Sequence, residues 1–287
     1  VPELPEVEVT RRAIAPLLVG RTIKSVTTTK PSYFFLTPPR ALRERLPGRK
    51  FVEVVRVGKY LVASLDDDSR LLLHLGMTGQ LFSSEASSPR LYRVREKKKK
   101  TGTFRPDEHT HLVLSFRDPG PDLLFRDVRK FGKVRHLAPG KNDVRLTKLG
   151  VDALEVDGEV IFAAAKRRIT PVKSLLLDQS VIAGAGNIYA DEALFLAKIR
   201  PTRRARSVTR EECDALAKAL RGVLRRAIVR GGSSIDDFVN PDGSDGDYQT
   251  ERKVYAREGE PCPRCRTTIR RTVIGQRSSH YCPGCQR

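Results

Sequence analysis

Residues 51–75 read FVEVVRVGKYLVASLDDDSRLLLHL. Three apolar runs lie in this stretch: Phe51 to Val57, rich in valine, then Tyr60 to Leu65, then Arg70 to Leu75. Each has strand length and strand composition. Asp66-Asp67-Asp68-Ser69 separates the last two as a turn. Further along, His111 to Phe116 and Leu123 to Arg126 form a similar pair around Asp118-Pro119-Gly120-Pro121. Short strands joined by turn signals predict a β-sandwich or barrel over residues 22–138. A leading helix is expected before them, entered at Pro5 and ended near Gly20.

From residue 158 the period changes from strand to helix. Thr209-x-x-Glu212 is a capping-box pattern. Behind it Cys213, Leu216, Ala217, Leu220, Leu224, Ala227 and Ile228 share one helical face, and Gly231-Gly232 ends the helix. Cys213 therefore reads as core. Ala190, Ala193, Leu194 and Ala197 mark another helix, entered near Asn187. The boundary falls between 139 and 157, at the turn-like Pro139-Gly140-Lys141-Asn142-Asp143. The fold class is α+β in two domains, a number that suits 287 residues.

Lys and Arg number 54 against 34 Asp and Glu, a formal net charge of +20. Such a surplus points to a polyanionic partner. An anionic membrane would want an amphipathic helix with Trp, Phe or Leu facing its basic side. The chain has no Trp, and its basic helices spend their apolar faces on a core. No run approaches the ~18 apolar residues of a membrane span. The acidic N-terminus carries no signal-peptide pattern, so a cytoplasmic protein with nucleic acid as its partner is expected. The Lys97-Lys98-Lys99-Lys100 segment reads as a solvated loop, with an accessory DNA contact as the alternative.

Four of the five cysteines lie in the last 26 residues. Cys262-x-x-Cys265, sixteen residues, then Cys282-x-x-Cys285 is the spacing of a four-thiolate zinc site. A filled tetrahedron leaves no open coordination position, so one structural Zn²⁺ is expected on a β-hairpin spanning Thr267 to Ile274 and Ser278 to Tyr281. His280 could ligate, but four cysteines suffice. Ala183-Gly184-Ala185-Gly186-Asn187 opens a helix, where free N–H groups can meet a phosphate. At the start, Pro2-Glu3 is followed by Leu4-Pro5-Glu6. Released from Val1, Pro2 becomes a secondary amine beside a carboxyl group. An α-amine with a pKa of ~7.7–8.0 is partly neutral at physiological pH. That pairing suits Schiff-base chemistry on a sugar carbon.

These features together resemble the formamidopyrimidine-DNA glycosylases, bacterial enzymes that remove oxidised purines from DNA. The resemblance runs through Pro2-Glu3-Leu4-Pro5-Glu6-Val7-Glu8, Gly58-Lys59-Tyr60-Leu61 and His74-Leu75-Gly76-Met77-Thr78-Gly79. It continues in Arg126-Asp127-Val128-Arg129-Lys130-Phe131-Gly132, in Gly184-Ala185-Gly186-Asn187-Ile188-Tyr189-Ala190 and in the four-cysteine finger. Leu4 favours the purine branch over the sister family acting on oxidised pyrimidines, which has Gly there.

The resemblance implies an N-terminal catalytic β-sandwich over 1–140 and a linker over 141–157. It implies a helix-two-turn-helix domain with a lesion-recognition loop over 158–247, then a zinc finger over 248–287. Pro2 would be the nucleophile and Glu3 the acid/base carboxylate. Lys59 would serve β-elimination and Arg277 the second elimination. The damaged base has to be flipped out of the duplex. Met77, Arg129 and Phe131 would fill the gap as a flexible apolar chain, a planar cation and an aromatic wedge. His109, Arg168 and Asn187 would contact DNA phosphates, and 240–255 would cover the everted base. Val1 is expected to be removed. Tyr248 and Glu251 fit the loop, while Arg252 replaces an apolar residue and Asp236 a basic one. The implied function is a bifunctional glycosylase and abasic-site lyase, acting as a monomer. The alternatives are the sister pyrimidine activity and a non-catalytic lesion-binding protein.

Overall fold

The computed structural model describes residues 2–86, 104–234 and 238–287. Val1, Lys97 to Lys100 and Asp236 lie outside the described residues. The chain divides into two compact units, 1–143 with 230–247, and 144–229 with 248–287. Among the described residues no helix is long and apolar enough to cross a membrane.

The first unit opens with helix α1 (Leu4–Leu18), where Pro5 sits in the first turn and loses no hydrogen bond there. Gly20, with φ +86°, follows its end. Next come β1 (Ile23–Thr28) and a short helix, α2 (Pro39–Arg45). The decisive stretch forms β2 (Phe51–Val57), β3 (Tyr60–Leu65) and β4 (Arg70–His74), a meander with Val57 opposite Tyr60 and Tyr60 opposite His74. The Asp66 to Ser69 turn closes as expected: the Asp67 carboxylate accepts from the Ser69 amide at 3.1 Å, and Asp68 takes φ +61°. Then follow β5 (Gly79–Ser83), β6 (Thr110–Phe116), β7 (Leu123–Asp127) and β8 (Lys133–Leu137).

These strands make two four-stranded antiparallel sheets, ordered β2-β3-β4-β8 and β1-β6-β7-β5. Leu61 and Leu73 from one sheet share a single core with Leu81, Leu112 and Phe125 from the other, closed by Ile14 and Leu18 of α1. That is the expected sandwich. A smaller cluster joins Phe82, Phe104 and Leu124 to Val239 of the returning segment 230–247. The Ser83 amide donates to the Pro241 carbonyl at 3.2 Å. The sequence reading groups 230–247 with the helices, whereas its contacts lie with the sandwich.

The second unit contains α3 (Val144–Thr147), β9 (Val151–Asp152), α4 (Gly158–Ala165), α5 (Val172–Leu177), β10 (Ile182–Ala183), α6 (Asn187–Leu196) and α7 (Arg210–Val229). The capping box at α7 is made in both directions, Thr209 amide to Glu212 at 2.8 Å and Glu212 amide to Thr209 at 3.3 Å. All seven residues assigned to the apolar face of α7 are buried. Strands β11 (Arg270–Ile274) and β12 (Arg277–Tyr281) form the expected terminal hairpin.

Candidate functional site

Pro2 and Glu3 are both buried at the entry to α1, with Glu3 only 3% exposed. The Glu3 amide donates to Glu6 Oε2 at 2.8 Å, so the helix start is capped by a carboxylate rather than a hydroxyl. The other Glu6 oxygen accepts from the Ser233 amide at 2.8 Å. Gly232 comes close enough that an added Cβ would meet Glu6 Cγ and Oε1 at 3.1 Å. Glu6 thereby holds the Pro2-Glu3 dipeptide to the returning segment. Lys59 lies half-buried in the two-residue turn between β2 and β3. Gly58 takes φ +57° at the first turn position, the glycine preference of a type II′ hairpin.

Met77, Arg129 and Phe131 come together on two loops that meet backbone to backbone. A Cβ on Gly76 (φ +65°) would lie 2.5 Å from the Gly132 nitrogen. Asp127, fully buried, organises both loops: its carboxylate accepts from the Thr78 hydroxyl, the Arg129 amide (3.2 Å) and the Gly132 amide (2.6 Å). Met77 is left 38% and Phe131 40% exposed. The Arg129 guanidinium stacks 4.6 Å from the Phe131 ring centroid. An exposed apolar chain, ring and cation on a rigid support are suited to entering a base stack.

His109 adjoins this group, its carbonyl accepting from the Asp127 amide at 2.9 Å. Asp107 fixes it further, taking the His109 amide at 3.1 Å and Arg126 Nε at 2.8 Å. Burial opposes the charge on Asp107, but the bonds from Arg126 and Thr110 prevail and hold its carboxyl below the usual range. His111 lies beneath with Nε2 2.9 Å from the Asp127 carbonyl and Nδ1 3.1 Å from the Thr29 hydroxyl. A carbonyl only accepts, so Nε2 carries the proton. Burial lowers the His111 pKa and keeps the ring neutral.

In the second unit Asn187 is the first residue of α6, and its Oδ1 is buried with no hydrogen-bond partner among the described residues. Gln179 braces the glycine-rich turn before it, accepting from the Gly184 amide and donating to the Ala185 carbonyl, both at 2.9 Å. Arg168 pairs with Asp178 at 2.7 Å and is half-buried. Arg277 is exposed at the start of β12, after a turn in which Gly275 and Gln276 both take positive φ.

Behind Arg277 lies a network that sequence reasoning missed. Lys173 and Asp191, both with no solvent exposure, pair at 2.7 Å. Lys173 Nζ also donates to the Ser278 carbonyl at 2.8 Å. Asp191 accepts from the Ser279 hydroxyl (3.0 Å) and the His280 amide (2.8 Å). The neighbouring Glu192 accepts from the amides of Lys253, Val254 and Tyr255. Burial still pushes its carboxyl above the ordinary range. The only signal in the sequence was Asp191-Glu192 on a helix otherwise rich in apolar residues. In the loop that follows, Tyr248 packs on Tyr189 with ring centroids 5.3 Å apart, and Glu251 is held by Arg226.

The Sγ atoms of Cys262, Cys265, Cys282 and Cys285 all lie within 4.8 Å of one another. Two of the pairs stand at 3.4 and 3.9 Å. A zinc tetrahedron with ~2.3 Å bonds has sulfur–sulfur edges of about 3.8 Å, so the set fits one Zn²⁺. His280 is engaged by Asp191 and is not needed as a ligand.

Comparisons with known proteins agree along the chain. Residues 1–134 match the family described as the formamidopyrimidine-DNA glycosylase N-terminal domain. Residues 149–239 match its H2TH domain, and 259–287 match the zinc finger found in FPG and IleRS. The formamidopyrimidine-DNA glycosylase of Solibacter usitatus is 42% identical over 287 residues, covering all of both chains. That of Thermus thermophilus is 40% identical over 294 residues, covering 100% of this chain and 98% of its own. The crystal structure of the Thermus thermophilus MutM (Fpg) protein superposes with a TM-score of 0.84 at 38% identity, over 99% of this chain and 98% of that one. Lactococcus lactis Fpg in complex with DNA containing an abasic site gives 0.84 at 34% identity over the whole of both chains.

Proposed function

The chain belongs to the formamidopyrimidine-DNA glycosylase family, and on that premise we propose that it excises oxidised purines from duplex DNA and then cuts the strand at the abasic site. The observation that carries this reading is the buried Pro2-Glu3 pair at the entry to α1, braced by Glu6. As a free terminal amine, the Pro2 nitrogen attacks C1′ of the damaged nucleotide. The bond to the base breaks and the base leaves with a proton. Glu3 protonates the sugar ring oxygen, the ring opens, and the amine becomes an iminium. Loss of a proton from C2′ then expels the 3′ phosphate. Lys59 serves that elimination, and Arg277 serves the second one, which expels the 5′ phosphate.

Met77, Arg129 and Phe131 occupy the space left by the everted nucleotide. His109, Arg168 and Asn187 hold backbone phosphates. The zinc cross-links the finger and takes no part in the chemistry. Leu4 supports oxidised purines as the substrate class. The catalytic, helix-two-turn-helix and zinc-finger domains expected from sequence belong to this reading, with 230–247 grouped with the sandwich, as do a monomeric enzyme and a place of action on the bacterial chromosome in the cytoplasm.

Borohydride reduction tests the mechanism. With an 8-oxoguanine duplex, a covalent adduct is expected, and peptide mass mapping places it on Pro2. Acetylating the N-terminus abolishes the adduct. An adduct on a lysine would overturn the role of Pro2. An adduct with oxidised-pyrimidine duplexes alone would reassign the substrate. Tight lesion binding with neither adduct nor cleavage would leave a non-catalytic binding protein.

A further inference from the structure

We propose that Glu8 and Arg56 form a positioning clamp between the helix that carries Pro2 and Glu3 and the turn that carries Lys59. Glu8 lies on the second turn of α1 and is 8% exposed. Its carboxylate accepts from Arg11 Nη2 at 2.8 Å, Arg11 Nε at 3.0 Å and Arg12 Nε at 2.7 Å. Arg56, next to last in β2, brings its Nε to 3.4 Å from Glu8 Oε2. The other arm of the same guanidinium donates from Nη1 to the Gly58 carbonyl at 3.0 Å. One planar cation therefore reaches back to the helix and forward to the turn.

The Gly58 carbonyl belongs to the peptide unit that ends at Lys59. Because that unit is planar, fixing its oxygen fixes the nitrogen and Cα of Lys59. Arg11 and Arg12 already neutralise Glu8 from its own helix. Burial works against the Glu8 charge, but bonds from those two arginines outweigh it and hold the carboxyl below the usual range. Arg56 is a third cation on the same carboxylate, brought in from the sheet. Its planar group hydrogen-bonds the turn through Nη1 while its charge lies 3.4 Å from the helix carboxylate, a fixed geometry that a lysine ammonium on a flexible stem cannot reproduce. The clamp sets the register of amine, carboxylate and lysine. It rests on the elimination role assigned to Lys59 above.

The test uses zinc-loaded full-length protein and a duplex with a preformed abasic site. Borohydride trapping reads Schiff-base formation, and strand scission reads elimination. Glu8→Gln keeps shape and removes charge; Arg56→Gln removes the fork from the other side. Each change is expected to slow scission by about tenfold or more while trapping stays within about twofold, since small misplacements of a reacting group cost rate steeply. The double variant is expected to be no slower than the worse single, because both act through one contact. Scission and trapping falling together would mean a merely structural role and overturn the clamp. Wild-type scission in both variants, with Lys59→Ala slow, would overturn the clamp alone. Wild-type scission in Lys59→Ala would remove the role of Lys59 and the clamp with it.

Discussion

A lysine with no solvent exposure must be neutralised where it sits, and Lys173 is neutralised by Asp191 at 2.7 Å. Removing one member of such a pair leaves the other charge buried. Lys173→Met is therefore expected to cost about 3–5 kcal/mol, read as a lower denaturation midpoint. Asp191→Asn is expected to cost at least as much, since it strands the Lys173 charge and turns an amide NH2 toward either the His280 amide or the Lys173 ammonium. A loss below about 1 kcal/mol for Lys173→Met would mean the pair is not what holds the Ser278 carbonyl. At this scale the sequence was legible wherever chemistry depends on residue type and spacing, as in the four cysteines or Pro2-Glu3. It was opaque wherever a side chain serves as acceptor for backbone amides. Asp127, Gln179 and Glu192 all accept from amides, and those on Glu192 lie 61 to 63 residues away.

Among elements, α7 was readable because a 20-residue helix repeats its apolar face many times, so the pattern outweighs noise. Strands β2 to β4 were readable for their valines, leucines and a turn of aspartates. Strand β5 was not: Gly79–Ser83 is short, mixes polar and apolar residues, and is buried throughout. Its Phe82 is covered partly by Val239, more than 150 residues on, and no local period encodes that. The finger is the element with least core of its own, a two-stranded hairpin held by its thiolate cluster. Such a hairpin is marginal alone in water. A strong chelator is expected to unfold it, measured as loss of DNA affinity with the near-ultraviolet dichroism of the sandwich aromatics unchanged. DNA binding that survives complete zinc removal would contradict a part for the finger in holding DNA.

For the whole molecule the governing quantity is the net charge of +20. Lysines and arginines that reach phosphates release condensed cations from the duplex. Affinity should then fall on the order of 10³-fold or more between about 50 and 200 mM salt. A flat dependence over that range would contradict a phosphate-dominated interface.

The sandwich is a discontinuous unit, and this bears on the order in which the protein can be made. A ribosome delivers α1 and all eight strands of the sandwich before residue 144. The Glu6 oxygen that receives the Ser233 amide must wait another 90 residues for its partner, a contact spanning 227 positions. A nascent chain halted after Asp143 thus holds its strands but not the brace on Pro2-Glu3. The Pro2-Glu3 dipeptide would be fastened only late in synthesis, after the helices of the second unit have emerged.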